Sequence, residues 1–373
     1  MRKVSTKKLV PGLNLAMPVY DNNGFIWLNR GVELTIDYIR TLERLKIPAV
    51  YIEDPLIPDV EVGDVVQDET RQQANRMVKN VMENIHNVPE KALPGVLAAK
   101  TKELDNLLID ITDQLLSNPK LVVNLTDIRT TDNYTFYHSV NVAILSIITA
   151  RSMGFKTYQL RKVGMGALLH DLGKTKIPLS ILNKKGRLLP EEFDKIKNHP
   201  QYGYNMVSMK QVIEPCAAKI IYQHHERING EGYPNGLASN QTHLYSKICS
   251  VVDVYDALTA DRPYREGFPP HKALEILESS GHEFDQNALQ HLFLHVAAYP
   301  VGTRVGLSNG DAGVVVRNRP GYTRHPKVRV LYEKENFEPL SPYEIDLSEQ
   351  INVVVDEIFS FDAFPIACNR KTV

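Results

Sequence analysis

The stretch Ala167–Lys174 reads Ala-Leu-Leu-His170-Asp171-Leu-Gly173-Lys174, an imidazole and a carboxylate side by side at the end of an apolar pattern. Leu160, Val163, Gly164, Ala167 and Leu168 recur at helical spacing, and Asp171 continues their face. An ionised carboxylate on a buried face is costly unless it is paired or binds a cation. Gly173 reads as the stop of that helix. By itself a His-Asp pair is more often a capped helix end than a pair of metal ligands, so the rest of the chain decides.

Further clusters follow the same logic. His138 begins an apolar face continued by Val142 and Leu145, and His199 stands before Pro200 at a helix start. His224 and His225 end a helix whose inner face is Ala217, Ile220 and Ile221. Neighbouring helical residues point about 100° apart, so two adjacent histidines reach one ion only from a helix end. Asp253 and Asp256 share a face with Ala257 and Ala260; two like charges so placed repel unless a cation lies between them. Asp256 reads as a cap or an arginine partner rather than a ligand. Each histidine alone suits a hydrogen-bonded core, but one shared site explains the set more simply. Imidazoles mixed with carboxylates suit first-row transition metals such as Fe, Mn, Co, Ni or Zn. The ligands outnumber the needs of one ion, and two ions bridged by Asp171 would use them all.

These residues need a helical frame, and the chain supplies one. The organisation reads as a small mixed α/β module over 1–62, a helical linker or hairpin over 63–126, a helical domain over 127–300 and a small β-rich module over 301–373. Asp21-Asn22-Asn23-Gly24 is a hairpin turn between the strand candidates Leu15–Tyr20 and Phe25–Leu28, and Ala49–Ile52 is a third. Thr35–Leu45 has helical spacing, and Met77, Val81 and Ile85 precede a second helical run from Leu104 to Leu115, with a break at Val88–Gly95. Val140–Ala150 is the most apolar run and reads as a buried helix. Arg304–Leu307, Gly313–Arg317, Lys327–Tyr332 and Ile351–Val355 read as strands.

The 373 residues are 43% hydrophobic and carry a formal charge of −1, so no global field draws in a nucleic-acid polymer or an anionic membrane. No stretch approaches the ~20 apolar residues of a membrane span. Cys216, Cys249 and Cys368 are scattered and odd in number, which fits a reducing compartment and a cytoplasmic location.

The motif series is ordered: His170-Asp171, Gly173-Lys174, His224-His225-Glu226, Gly230, Gly232-Tyr233-Pro234, then Asp253, Asp256-Ala257-Leu258-Thr259 and Arg262-Pro263-Tyr264-Arg265. Over residues 127–300 it resembles the HD-GYP group, bacterial HD-superfamily phosphodiesterases that degrade cyclic di-GMP. The resemblance implies a mainly α fold, a helical HD-superfamily bundle between the flanking modules. It implies one ion on His138, His170, Asp171 and Asp253, and a second on Asp171, His199, His224 and His225. Some members hold a third metal through a glutamate where this chain has Tyr134, so a binuclear centre of Fe or Mn, with Ni, Co or Zn as other occupants, is expected. The implied reaction is hydrolysis of cyclic di-GMP by a metal-bridging hydroxide attacking phosphorus, with pGpG or GMP as the end product.

Asp171 is then the bridging catalytic residue. Lys174, a turn past His170, is expected on the scissile phosphate, and Arg227, Tyr233, Arg262 and Arg265 on the rest of the substrate. In the family the Gly-Tyr-Pro loop also docks cyclase-domain partners. A catalytically weak cyclic-dinucleotide receptor, and a phosphohydrolase of another nucleotide, remain the alternatives. Oligomeric state is not legible.

Overall fold

The computed structural model describes the chain except residues 22–23, 55–56, 61–62, 86–87, 90, 119–120, 125–133, 185, 261–266, 351 and 360–373. It gathers into two compact units, one of residues 1–64, 120–132 and 296–373, the other of residues 65–119 and 133–295.

The first unit begins with β1 (Arg2–Ser5), β2 (Val19–Tyr20), β3 (Ile26–Leu28), α1 (Ile36–Arg44) and β4 (Ala49–Ile52). The Thr35 hydroxyl accepts the Tyr38 N–H at 3.3 Å and starts α1, whose Ile39 and Leu42 turn inward. Strand β1 pairs antiparallel with β4, and β2 with β3, over a core of Val4, Leu15, Leu28, Leu34, Leu42 and Ile52.

The second unit is helical: α2 (Asp68–Ile85), α3 (Leu93–Ser117), α4 (Tyr134–Ser152), α5 (Thr157–Leu168), α6 (Leu179–Leu182), α7 (Pro190–Ile196), α8 (His199–Ser208), α9 (Pro215–Gln223), α10 (Leu244–Thr259), α11 (Pro270–Ser279) and α12 (Gln286–Phe293). Its centre is α4, buried from Val140 to Ala150 on every side, the signature of a helix enclosed by others. Helices α5, α10, α2 and α12 pack around it, and α9 sits against α5, α8 and α10. The expected helical linker is thus part of this bundle, with α2 against α4 and α3 against α5.

The chain returns to the first unit as β5 (Arg304–Leu307), β6 (Asp311–Arg317), β7 (Lys327–Glu333), β8 (Pro339–Asp346) and β9 (Val355–Ile358). They form one antiparallel sheet in the order β8-β7-β6-β5-β9. One face buries Val305, Val315, Val328, Val330 and Ile345; Ala312, Val314 and Leu331 on the other pack with Ile57. The Asp59 carboxylate takes both terminal nitrogens of Arg329 at 2.6 and 2.7 Å. The first and last segments of the chain therefore share a core.

Two strands depart from expectation. Edge strand β8 was not anticipated, because Pro339 and Pro342 interrupt it and most of it is exposed; prolines are tolerated where one side of a strand is unpaired. The last strand begins at Val355, where the Ile351–Val355 run was expected to end, and it is the other edge. Cys216 and Cys249 are free thiols, and Cys368 lies outside the described residues. Among the described residues no helix is long and apolar enough to cross a membrane.

Candidate metal centre

Helix α5 ends at Leu168, five residues short of Gly173, and the chain turns before a 3-10 turn over Leu172–Lys176. Gly173 is therefore not the helix stop expected of it. Its role is close approach: a Cβ there would lie 1.8 Å from the His199 carbonyl oxygen, so only glycine lets the turn seat against α8. That seating brings the His170-Asp171 pair to the start of α8, where His199 is the first residue. His224 follows α9 as its cap and His225 comes next, while His138 and Asp253 project from α4 and α10.

The side chains converge. His199 Nε2 lies 3.3 Å and His224 Nε2 3.9 Å from Asp171 Oδ1. His170 Nε2 lies 3.4 Å and His138 Nε2 3.9 Å from Asp171 Oδ2. Asp253 Oδ1 is 3.1 Å from His138 Nε2 and 3.9 Å from His170 Nε2, and its Oδ2 is 3.8 Å from His225 Nδ1. Donor atoms of Asp171, His199, His224 and His225 lie within 4.8 Å of one another, as do those of His138, His170 and Asp171; each group could hold a metal ion.

The second nitrogens set the tautomers. His170 Nδ1 donates to the Ala167 carbonyl at 2.7 Å, His199 Nδ1 to that of Ile196 at 2.7 Å, and His224 Nδ1 to that of Ile221 at 3.0 Å. A carbonyl accepts only from N–H, so each Nε2 presents a lone pair to the centre. His138 Nδ1 donates instead to a carboxylate, Asp256 Oδ2, at 2.7 Å. Sequence reading missed this role for Asp256, whose partner lies 118 positions earlier. Glu226 was missed too: it is buried and accepts the Asn235 and Leu237 N–H groups at 2.9 and 2.8 Å, holding the Gly-Tyr-Pro loop in place.

Burial dominates the electrostatics. It opposes charge on Asp171, yet the Lys174 ammonium holds that carboxyl well below the usual carboxylate range. Burial likewise opposes charge on Asp253, whose carboxyl beside His138 is nevertheless held well below the usual carboxylate range. Burial also pushes His224 and His225 well below the ordinary imidazole value, leaving neutral rings with lone pairs to give. His170 Nε2 and Asp171 Oδ1 are buried without any hydrogen-bond partner. Such orphans are rare in folded proteins, and one cation beside each satisfies them. The donors are imidazole nitrogen and carboxylate oxygen without sulfur, a set that fits a first-row transition metal.

Of the residues expected on substrate, Lys174 sits at the rim, a third exposed, with Nζ 2.6 Å from Asp171 Oδ2. Tyr233 stacks on His225 with ring centroids 4.5 Å apart. Arg227 is engaged within the protein: it donates to Ser250 Oγ at 2.7 Å and to the Glu226 carbonyl at 3.1 Å, and lies over the Phe284 ring. Arg262, Arg265 and the side chain of Tyr134 lie outside the described residues.

Residues 114–288 match the family model of the HD domain. A cyclic di-GMP phosphodiesterase of Pseudomonas aeruginosa is 36% identical over 251 residues, 67% of this chain and 60% of that protein. A 3'3'-cGAMP-specific phosphodiesterase of Vibrio cholerae is 27% identical over 259 residues, 60% of this chain and 56% of that protein. Among solved structures, an HDG"Y"P protein from Bdellovibrio bacteriovorus aligns at 21% identity with a TM-score of 0.49, over 78% of this chain and 97% of that one. The matches thus span less than two thirds of the two curated relatives' lengths. The motif series, the converging histidines and the family model agree over residues 114–288, where the chain matches the HD domain.

Proposed function

We propose that the chain is a metal-dependent phosphodiesterase that opens cyclic di-GMP to pGpG. The observation that supports this most directly is the pair of orphaned, buried donors, His170 Nε2 and Asp171 Oδ1, within a ring of imidazoles whose lone pairs face inward. In this reading one divalent cation is held by His138, His170, Asp171 and Asp253, and another by Asp171, His199, His224 and His225, with Fe or Mn as the favoured occupants. When bound, such ions acidify water and neutralise charge building on phosphate oxygens.

The chain's own groups do the rest. Asp171 stays ionised despite its burial because the Lys174 ammonium favours its charge. Lys174, at the rim, offers a cation to the scissile phosphate of a dianionic substrate. Burial raises the Tyr233 phenol, which therefore stays protonated and serves as a donor beside His225. Arg227 and Glu226 hold the loop that carries Tyr233, and Gly232 lets that loop fold back: a Cβ there would lie 2.4 Å from the Arg227 nitrogen. Arg262 and Arg265 are assigned to the remaining phosphate or a guanine edge, and the exposed tip of the Gly-Tyr-Pro loop to a cyclase-domain partner.

The test is turnover. Metal-loaded protein is incubated with cyclic di-GMP, 3'3'-cGAMP and a simple phosphomonoester, and the products are separated by chromatography. Preferential conversion of cyclic di-GMP to pGpG supports the reading. A preference for 3'3'-cGAMP moves the substrate to that of the Vibrio relative, and binding without turnover under Fe, Mn, Co or Ni sinks catalysis.

A further inference from the structure

Helix α2 lies outside the segment that the HD family model matches, and its first turns bury three polar residues, Arg71, Gln72 and Asn75, ahead of an apolar face of Val78, Val81, Met82 and Ile85. Burying such groups on a helix is costly unless they meet partners. Two of them do so on α4: Gln72 accepts the Tyr137 hydroxyl at 3.2 Å, and Arg71 Nη1 donates to Asn141 Oδ1. From Asn141 the connection continues. Its Nδ2 donates to Asp256 Oδ1 at 3.4 Å, Asp256 Oδ2 accepts His138 Nδ1–H at 2.7 Å, and His138 Nε2 faces Asp253 Oδ1 at 3.1 Å.

Every member of this chain is buried: Arg71 is 6% exposed, Asn141 3%, Asp256 0% and His138 5%. The direction of the hydrogen bonds is fixed by chemistry. Guanidinium has only donors, so it takes the Asn141 oxygen and leaves the amide nitrogen for Asp256. Asp256 is thereby held with its other oxygen on the imidazole, and His138 must place its proton on Nδ1. Among the inward-facing rings whose Nδ1 donates, His170, His199 and His224 rest on carbonyls of their own local backbone, whereas His138 depends on side chains from two other helices.

The geometry points to Arg71 as a positioning residue of the metal centre: through Asn141 and Asp256, helix α2 sets the tautomer and aim of His138. This rests on the metal reading above. Its consequence is a centre whose two halves differ. The His199 and His224 rings are organised by local backbone, and on the other side the His138 ring responds to the seating of a helix that precedes the family segment.

The test uses the full chain stripped of metal, 15N-histidine NMR and titration with Zn(II). In wild type the His138 ring is expected as the Nδ1–H tautomer before metal is added. Asp256→Asn, which replaces one acceptor by a donor, should disturb that tautomer and weaken Zn(II) at His138 and His170 by ~10–100-fold. Arg71→Met should do the same by roughly tenfold, with Zn(II) at His199 and His224 changed less than about twofold; Arg71→Lys, which keeps a donor, should restore part of the loss. Combining Arg71→Met with Asp256→Asn should add little to Asp256→Asn alone, as expected for members of one network. An Nε2–H tautomer at His138 in wild type overturns the inference, as does an Arg71→Met protein that weakens both halves equally or neither. Wild type that binds no Zn(II) sinks the metal reading instead, and the His138 ring signals of Arg71→Met still decide the connection to α2.

Discussion

Each compact unit places carboxylates beside bases, but the charges are balanced in different ways. In the helical unit Asp171 and Asp253 are 1% and 6% exposed and face imidazoles, so their charge is answered in part by Lys174 and otherwise left for a cation. In the β-rich unit Asp59 and Glu344 share Arg329 near the surface, at 2.6 and 2.8 Å, with water screening the rest. Buried charge with a missing partner is a binding site; exposed charge with a full complement is a brace. The same residue types thus do unlike work according to burial, and each difference can be tested.

The largest effect is expected at Asp171. Asp171→Ala removes the oxygens on which the imidazoles of both metal groups converge, so metal content measured by elemental analysis should fall to background. Activity should drop by more than the ~10²–10³-fold typical of losing a single donor to a transition state. A variant that keeps two ions would overturn the ligand assignment. Lys174→Ala should keep the metals and raise the KM for cyclic di-GMP about 10–100-fold, the worth of one charge-assisted hydrogen bond. Loss of metal in that variant would make Lys174 part of the buried balance instead of the substrate grip.

How much of this was legible in the sequence follows the same divide. The histidines announced themselves because each imidazole interrupts an otherwise apolar pattern, and α1 showed in the helical spacing of Ile36, Ile39, Leu42 and Leu45. Features set by distant residues stayed hidden. Nothing near Gly173 tells that the carbonyl of His199 will press on it, and nothing near Asp256 names His138. The strand over Pro339–Asp346 was hidden for a different reason: at a sheet edge one side needs no pairing and little burial, so the apolar alternation that marks a strand is missing.

Removing metal separates the units thermodynamically. The single tryptophan, Trp27, packs against the core of the β-rich unit, whereas far-UV circular dichroism is dominated by the helical one. A ligand at 100 times its Kd stabilises by about 2.7 kcal/mol, and each kcal/mol is worth ~2–4 °C in a unit of this size. Chelation should therefore lower the helical melting transition by several degrees and leave the Trp27 fluorescence transition in place. If both move together, the balance of charge in the two units is not independent.

The smallest effect belongs to the surface brace. The bonds from Arg329 lower the Asp59 carboxyl from its ordinary 3.8 to about 2. A carboxyl whose folded value is depressed contributes stability that is fully present above the unfolded value and is lost as pH falls through the folded one. The Trp27 transition should hence lose midpoint temperature as pH drops from about 4 towards 2, and Asp59→Asn should flatten that slope while changing little at neutral pH. Because the pair is exposed, high salt should flatten it in the same way, by screening the attraction that depresses the carboxyl. The buried centre gives the contrast: Asp171 is buried, so its hold on metal should depend on ionic strength less steeply than the brace does. A metal affinity that falls with salt as steeply as the acid slope of the brace would mean that Asp171 is screened like a surface charge, and the distinction between site and brace would fail at its foundation.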